Sequence, residues 1–91
     1  MEKRIAIIGI IVEDSSSVEK INALISDYSE YVIGRMGIPY RTSDVNIISL
    51  VLDAPTDVTS SLSGKLGMLP GVSSKSVCSK KATNSFHRIT E

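Results

Sequence analysis

The sequence predicts an α+β sandwich, a ferredoxin-like βαββαβ chain with one antiparallel sheet in strand order 4-1-3-2. Three observations predict it. Two runs, Arg4–Val12 and residues 44–53, are apolar at both odd and even positions, as strands in the middle of a sheet are. Two shorter runs, residues 32–37 and 72–80, are broken by glycine or interleaved with serine and lysine, which suits sheet edges. Between them lie two segments of helical period. The order is thus strand, helix, strand, strand, helix, strand, and the first and third strands are the most hydrophobic, as a 4-1-3-2 sheet requires.

The first run, RIAIIGIIV, is short, rich in isoleucine and interrupted at Gly9, so it is a strand rather than a helix. Ile5, Ile7, Gly9 and Ile11 share one face, and Ala6, Ile8, Ile10 and Val12 the other. Helices can cover one side. Burying a large aliphatic side chain is worth roughly 1.5–3 kcal/mol, so three isoleucines left in water would forfeit about 5 kcal/mol, comparable to the stability of a small domain, about 5–15 kcal/mol. A second copy of the chain is therefore expected on the other side, as a homodimer or homotetramer, with Ile7 and Ile11 in the interface.

A helix should follow, opened by Ser16 and Glu19 as a capping box, with Val18, Ile21, Leu24, Ile25 and Tyr28 as its apolar stripe. It should end near Ser29 or Tyr31. Residues 32–37 form the second strand, and residues 38–43 are expected to connect it to the third, with Pro39 blocking further pairing. In the third, DVNIISLVLD, both faces again lack proper polarity. Pro55 and Asp57 open the second helix, striped by Val58, Leu62, Leu66 and Leu69 and stopped by Pro70-Gly71. Ser60, Gly64 and Gly67 form a small-residue ridge that would let another backbone approach, so Gly64 and Gly67 join the expected interface. Residues 1–80 make a single domain, and residues 81–91, lacking any period, are expected to be a flexible tail.

Ninety-one residues carry ten Lys plus Arg and ten Asp plus Glu, so no overall field draws nucleic acid or an anionic membrane. No apolar run is long enough to span a bilayer and no signal pattern precedes the first strand, which points to a cytoplasmic protein. The lone Cys78 excludes an internal disulfide and suits a reducing compartment. For catalysis the inventory is poor: the single histidine, His87, is in the tail, and Cys78 has no base near it in sequence. No cofactor or metal set is visible beyond the pair Glu13-Asp14, which capping and helix-dipole complementarity explain. An enzyme is not expected. Two places could bind a small anion: the strand-to-helix turn at Glu13, Asp14 and Ser15, and the stretch with Arg35, Tyr40 and Arg41, where forked guanidinium groups stand among glycines and a proline.

The segments GRMGIPYR, NIISLVLDAPTDV and LSGKLGMLPGV, in this order and spacing, resemble those of the small proteins of the iron-only hydrogenase system regulator family, over about residues 1–80. The resemblance implies an ACT-like fold similar to the C-terminal sensor domain of the nickel-responsive repressor, and a transcriptional or metabolic regulator rather than a reaction. Residues 1–80 contain no histidine, so the repressor's nickel site carries over to no position here. The first strand begins by residue 4, which leaves no room for the repressor's ribbon-helix-helix segment, so no direct DNA binding by this chain alone is expected. The expectation is a homo-oligomeric sensor that binds a small effector between subunits. The alternative is an assembly module with no ligand, which explains every feature except the Arg and Tyr cluster.

Overall fold

Alternation decides the architecture. β1 (Arg4–Val12) turns Ala6, Ile8, Ile10 and Val12 inward, none more than 1% exposed, and leaves Ile7 and Ile11 nearly half exposed on the other side. The computed structural model describes residues 2–40, the side chain of Pro39 excepted, and residues 42–85. After β1 come a 3₁₀ turn (Ser15–Ser17), α1 (Val18–Asp27), a second 3₁₀ turn (Ser29–Tyr31), β2 (Val32–Tyr40), β3 (Val45–Ala54), α2 (Thr56–Gly67) and β4 (Val72–Cys78). The sheet order is β2-β3-β1-β4, the predicted 4-1-3-2 arrangement, and all three pairings are antiparallel. β1 pairs with β3 from Arg4↔Ala54 to Val12↔Asn46 and with β4 from Ala6↔Cys78 to Val12↔Val72.

The core lies between the sheet and the two helices. Ile48, Leu50, Leu52 and Ala54 of β3 join the inward residues of β1, and Ile21, Ile25, Leu62 and Leu66 close the layer from the helices. Ile21, Leu62 and Leu66 are fully buried, as the helical stripes require. Pro55 stands at the N-cap of α2, with Asp57 in its first turn and Lys65 in its last, so charge complements the helix dipole at both ends. Thr59, 1% exposed, is in the same buried layer, and its hydroxyl has no hydrogen-bond partner among the described residues.

Four local expectations are corrected. The helix start is not the Ser16–Glu19 box: Asp14 caps the 3₁₀ turn by accepting from the Ser16 N–H at 2.9 Å, and Ser17, at the N-cap of α1, makes no side-chain cap bond. The Ser17 hydroxyl donates instead to the Pro70 carbonyl, 2.6 Å away. β2 continues through Pro39, paired in register with Asn46, to Tyr40. An edge strand bonds on one side only, so a missing N–H is tolerated there. The link to β3 is accordingly short, and Asp44 takes a positive φ of 55° in it, a conformation that aspartate accepts better than most residues. Finally, the stretch expected to be a flexible tail is docked as far as Ser85. The Thr83 N–H bonds the Lys3 carbonyl at 2.7 Å, the Ser79 N–H bonds the Ile5 carbonyl at 2.8 Å, and Ala82 is buried. Backbone pairing with the start of β1 holds it, a signal without side-chain period. His87 and the rest of 86–91 lie outside the described residues.

The turns at one end of the sheet are clamped together. The Glu13 N–H donates to the Gly71 carbonyl at 2.7 Å, parallel to the Ser17–Pro70 bond. Gly71 has φ +68°, and a Cβ there would fall 2.5 Å from the Asp14 Cβ and 2.9 Å from its backbone nitrogen. Gly71→Ala is therefore expected to cost more than the about 1–2 kcal/mol of a left-handed residue alone, lowering the thermal midpoint by several degrees. Thr59→Val has the opposite sign. Replacing an unpaired buried hydroxyl with a methyl of the same shape should leave the midpoint unchanged or raise it, since a group of this kind costs about 1–3 kcal/mol while unsatisfied. Thermal unfolding of both variants beside the parent checks both expectations.

Candidate functional site

The six residues expected to bind an anion do not form one site. Glu13, Asp14 and Ser15 occupy the turn after β1, where Asp14 is engaged locally. Its carboxylate accepts from the Ser16 hydroxyl at 2.6 Å as well as from the Ser16 N–H. These bonds, the hydroxyl first, hold its pKa below the ordinary aspartate value against the opposing effect of burial. Tyr40 lies at the same end of the sheet, but two strands across, because Val12 pairs with Asn46 and Asn46 with Pro39. At about 4.8 Å per strand that is roughly 10 Å.

Arg35 is farther away still. It pairs with Leu50, which pairs with Ile8, so it is level with the middle of β1. In a regular strand, residues five apart point to opposite faces. Arg35 accordingly reaches the helix side, where Nη2 donates to the Asn22 Oδ1 of α1 at 2.8 Å, while Tyr40 is on the outer side and half exposed. Arg41 lies outside the described residues. The sequence brought these groups near one another because the strand was expected to stop at Gly37, with Tyr40 in a connecting loop; β2 instead runs on to Tyr40 and separates them.

Two of the surface features that remain have the form of sites. One is a cleft of about 290 Å³ between the start of α1 and the β2–β3 edge, lined by Val18, by Arg35, Gly37 and Ile38 of β2, and by Asn46, Ile47 and Ile48 of β3. The Asn22 bond uses one of the five N–H donors of the guanidinium. A carboxylate or phosphate could take others, with aliphatic groups beside it. Of the expected anion-binding residues that are described, Arg35 is the one placed in a cleft.

The other is the outer face of the sheet. Ile7 and Ile11 of β1 are joined there by Met36, Ile38 and Tyr40 of β2 and by Ile47 of β3, all between 38% and 58% exposed, and by Val77 of β4 at 69%. Lys75 of β4 is opposite Gly9, the one charged side chain in the middle of this face. Met36, Ile38 and Val77 were not recognised from sequence, although the alternation of MGIPY contains the first two. On the expected ridge of α2, Ser60, Gly64 and Gly67 are exposed; a Cβ at Gly64 would meet nothing within 4 Å, and one at Gly67 would meet the Ser74 hydroxyl at 3.3 Å. Among the described residues, therefore, nothing fills the space beside Gly64.

A polar clasp joins the helices elsewhere: Lys65 Nζ donates to the Tyr28 hydroxyl at 2.9 Å and Ser61 Oγ lies 3.2 Å from it. The lysine bond above all holds the phenol pKa below its ordinary value, with Ser61 adding to it. Among the described residues no three His, Cys, Asp or Glu stand together as a metal site would need, and no helix is long and apolar enough to cross a membrane.

No curated protein matches this chain. Eight chains of solved structures do. One of them, described as "The structure of uncharacterized protein TM1266 from Thermotoga maritima", is 39% identical and superposes with a TM-score of 0.82, the alignment covering 87% of this chain and 100% of that one. Residues 4–76 match the model of the family described as "TM1266-like: Iron-only hydrogenase system regulator, putative". That span takes in β1 through most of β4, the whole clamped sandwich, and the chain belongs to the TM1266-like family of the iron-only hydrogenase system.

Proposed function

We propose that this protein is a regulatory module of the iron-only hydrogenase system that works as a homo-oligomer, two copies covering each other's outer sheet faces, and that it responds to a small anionic effector. The observation that carries this reading is the uncovered face, on which isoleucines of the two central strands stand in solvent. Four strands at about 4.8 Å and seven paired positions at about 3.3 Å give a face of about 19 by 23 Å, or about 440 Å² in projection. Two copies would bury about 900 Å² before the relief of the side chains is counted, close to the roughly 1,200 Å² at which standard interfaces begin. A face with one cation in its middle suits a neutral, self-complementary partner better than nucleic acid. In this reading the module acts on a transcriptional or metabolic partner in the cytoplasm and catalyses nothing itself.

The effector is assigned to the cleft at Arg35. Glu13, Asp14 and Ser15 are less suited, since the Asp14 carboxylate would repel an anion and is already bonded to Ser16. A second reading, assembly without a ligand, is favoured by one observation: Arg35 and Tyr40 do not converge.

Light scattering at micromolar concentration should find a dimer or larger. Ile11→Lys, which sets a charge in the middle of the face, should weaken association by tenfold or more, or about 1.4 kcal/mol. A parent that runs at its 9.8 kDa chain mass would overturn the oligomer. For the effector, the parent should be stabilised by at least one member of a panel of amino acids, nucleotides and inorganic phosphate, by about 2.7 kcal/mol at 100 times the dissociation constant. Arg35→Ala should abolish that gain while leaving unliganded stability within about 0.5 kcal/mol. A panel that never stabilises the parent favours the assembly module.

A further inference from the structure

We infer that Gly9 is a socket for Ile7 of a second copy of this chain, and that this contact sets how the two sheets register. The inference rests on the outer face being a self-contact and names the feature that makes that contact specific. Gly9 is in the middle of β1, the central strand bonded on both sides, where glycine weakens a strand and packs nothing.

The usual reasons for a strand glycine are absent. Pairing runs unbroken through it, Gly9↔Ser49 on one side and Gly9↔Lys75 on the other, so it marks no bulge. Its φ is not positive; among the described glycines only Gly71 has that conformation. No neighbour in the chain approaches it, since a Cβ built there would meet nothing within 4 Å. What the missing side chain does create is a depression of about 330 Å³ on the outer face, walled by Ile11, Ile47, Ser73 and Lys75.

That depression is open to one side, and a small molecule in it would stay largely in water, whereas ligand sites bury most of the ligand. A knob carried on another flat surface closes it. The second copy supplies such a surface, equal in width and with no acidic group opposite Gly9 to demand a charged partner. In a two-fold contact each pairing occurs twice. Ile11 and Ile47 are walls of the socket, while Ile7 is the next outward side chain along β1 and is 47% exposed. If the two β1 strands cross about an axis level with Ile8, Ile7 of each copy meets Gly9 of the other, and sheets about 10 Å apart interdigitate there.

Sedimentation velocity and thermal unfolding of the parent, Gly9→Val, Gly9→Ala and the double variant Gly9→Val/Ile7→Ala test this. Gly9→Val should fold, because its side chain has room and valine suits a strand, yet its dimer dissociation constant should rise tenfold or more. Gly9→Ala should show a smaller rise, and it decides the matter should the valine variant fail to fold. Trimming the knob in the double variant should recover part of the association. Valine and alanine variants that dimerise as the parent does would overturn the socket while leaving the sheet-to-sheet dimer standing. A double variant with no recovery would overturn Ile7 as the knob. A monomeric parent would remove the self-contact itself, and the socket with it.

Discussion

The constraint on which the structure depends is that its two central strands are apolar on both sides while the chain has only one layer of helices. α1 and α2 together close one face, and Ala6, Ile8, Ile10 and Val12 of β1 are at most 1% exposed there. Apart from Thr83, which meets Asp53 at one corner, nothing in the described chain reaches the other face. Hydrophobic burial is roughly proportional to area removed from water, so the half-exposed Ile7, Ile11, Ile38 and Ile47 represent stabilisation that this fold alone does not collect. For a chain of this size, near the lower end of what one core can support, that shortfall is large. The sheet-to-sheet oligomer proposed above would recover that burial.

The helix layer is held by backbone and small polar contacts more than by helix propensity. The turn leaving β1 and the turn entering β4 share the Glu13–Gly71 and Ser17–Pro70 bonds, and Gly71 is needed because any Cβ would strike Asp14. The other end of the sheet is closed by the returning chain, where Thr83 bonds both the Lys3 carbonyl and the Asp53 carboxylate. Both ends of β1 are thus tied by chain segments distant in sequence. Its register, and with it the separation of core from outer face, is fixed at both ends.

The strand order could be read from the sequence because it follows from burial: two-sided apolar runs belong in the middle and interrupted ones at the edges. The outer face was legible for the same reason in Ile7 and Ile11. It was not legible in Ile38, because the expectation that Pro39 ends pairing stopped the strand at Gly37, before its alternation reached Ile38 and Tyr40. The same expectation grouped Tyr40 with Arg35. The two are five residues apart, hence on opposite faces of a strand that runs through both. The helix cap failed for another reason. Ser16 and Glu19 fit a local pattern, but Pro70 offered the Ser17 hydroxyl a distant acceptor, and tertiary contacts of that kind leave no mark in a local window. The docking of Ala82 likewise depends on backbone bonds, which every residue type can make.

β2 has an unusual position among these elements. Arg35, Gly37 and Ile38 line the cleft beside α1, and Met36, Ile38 and Tyr40 form one edge of the outer face. A single edge strand therefore belongs to both proposed surfaces, with hydrogen bonds to one neighbour only and a bulge between Val32 and Gly34 that interrupts its ladder. An effector held by Arg35 would act on the same backbone that carries Met36 and Ile38 into a partner. It could alter assembly only to the extent that it binds the free and associated forms with different affinity, and assembly would alter effector binding by the same factor. In the reading proposed above, that shared strand is the shortest physical route from a ligand bound at Arg35 to a change of assembly.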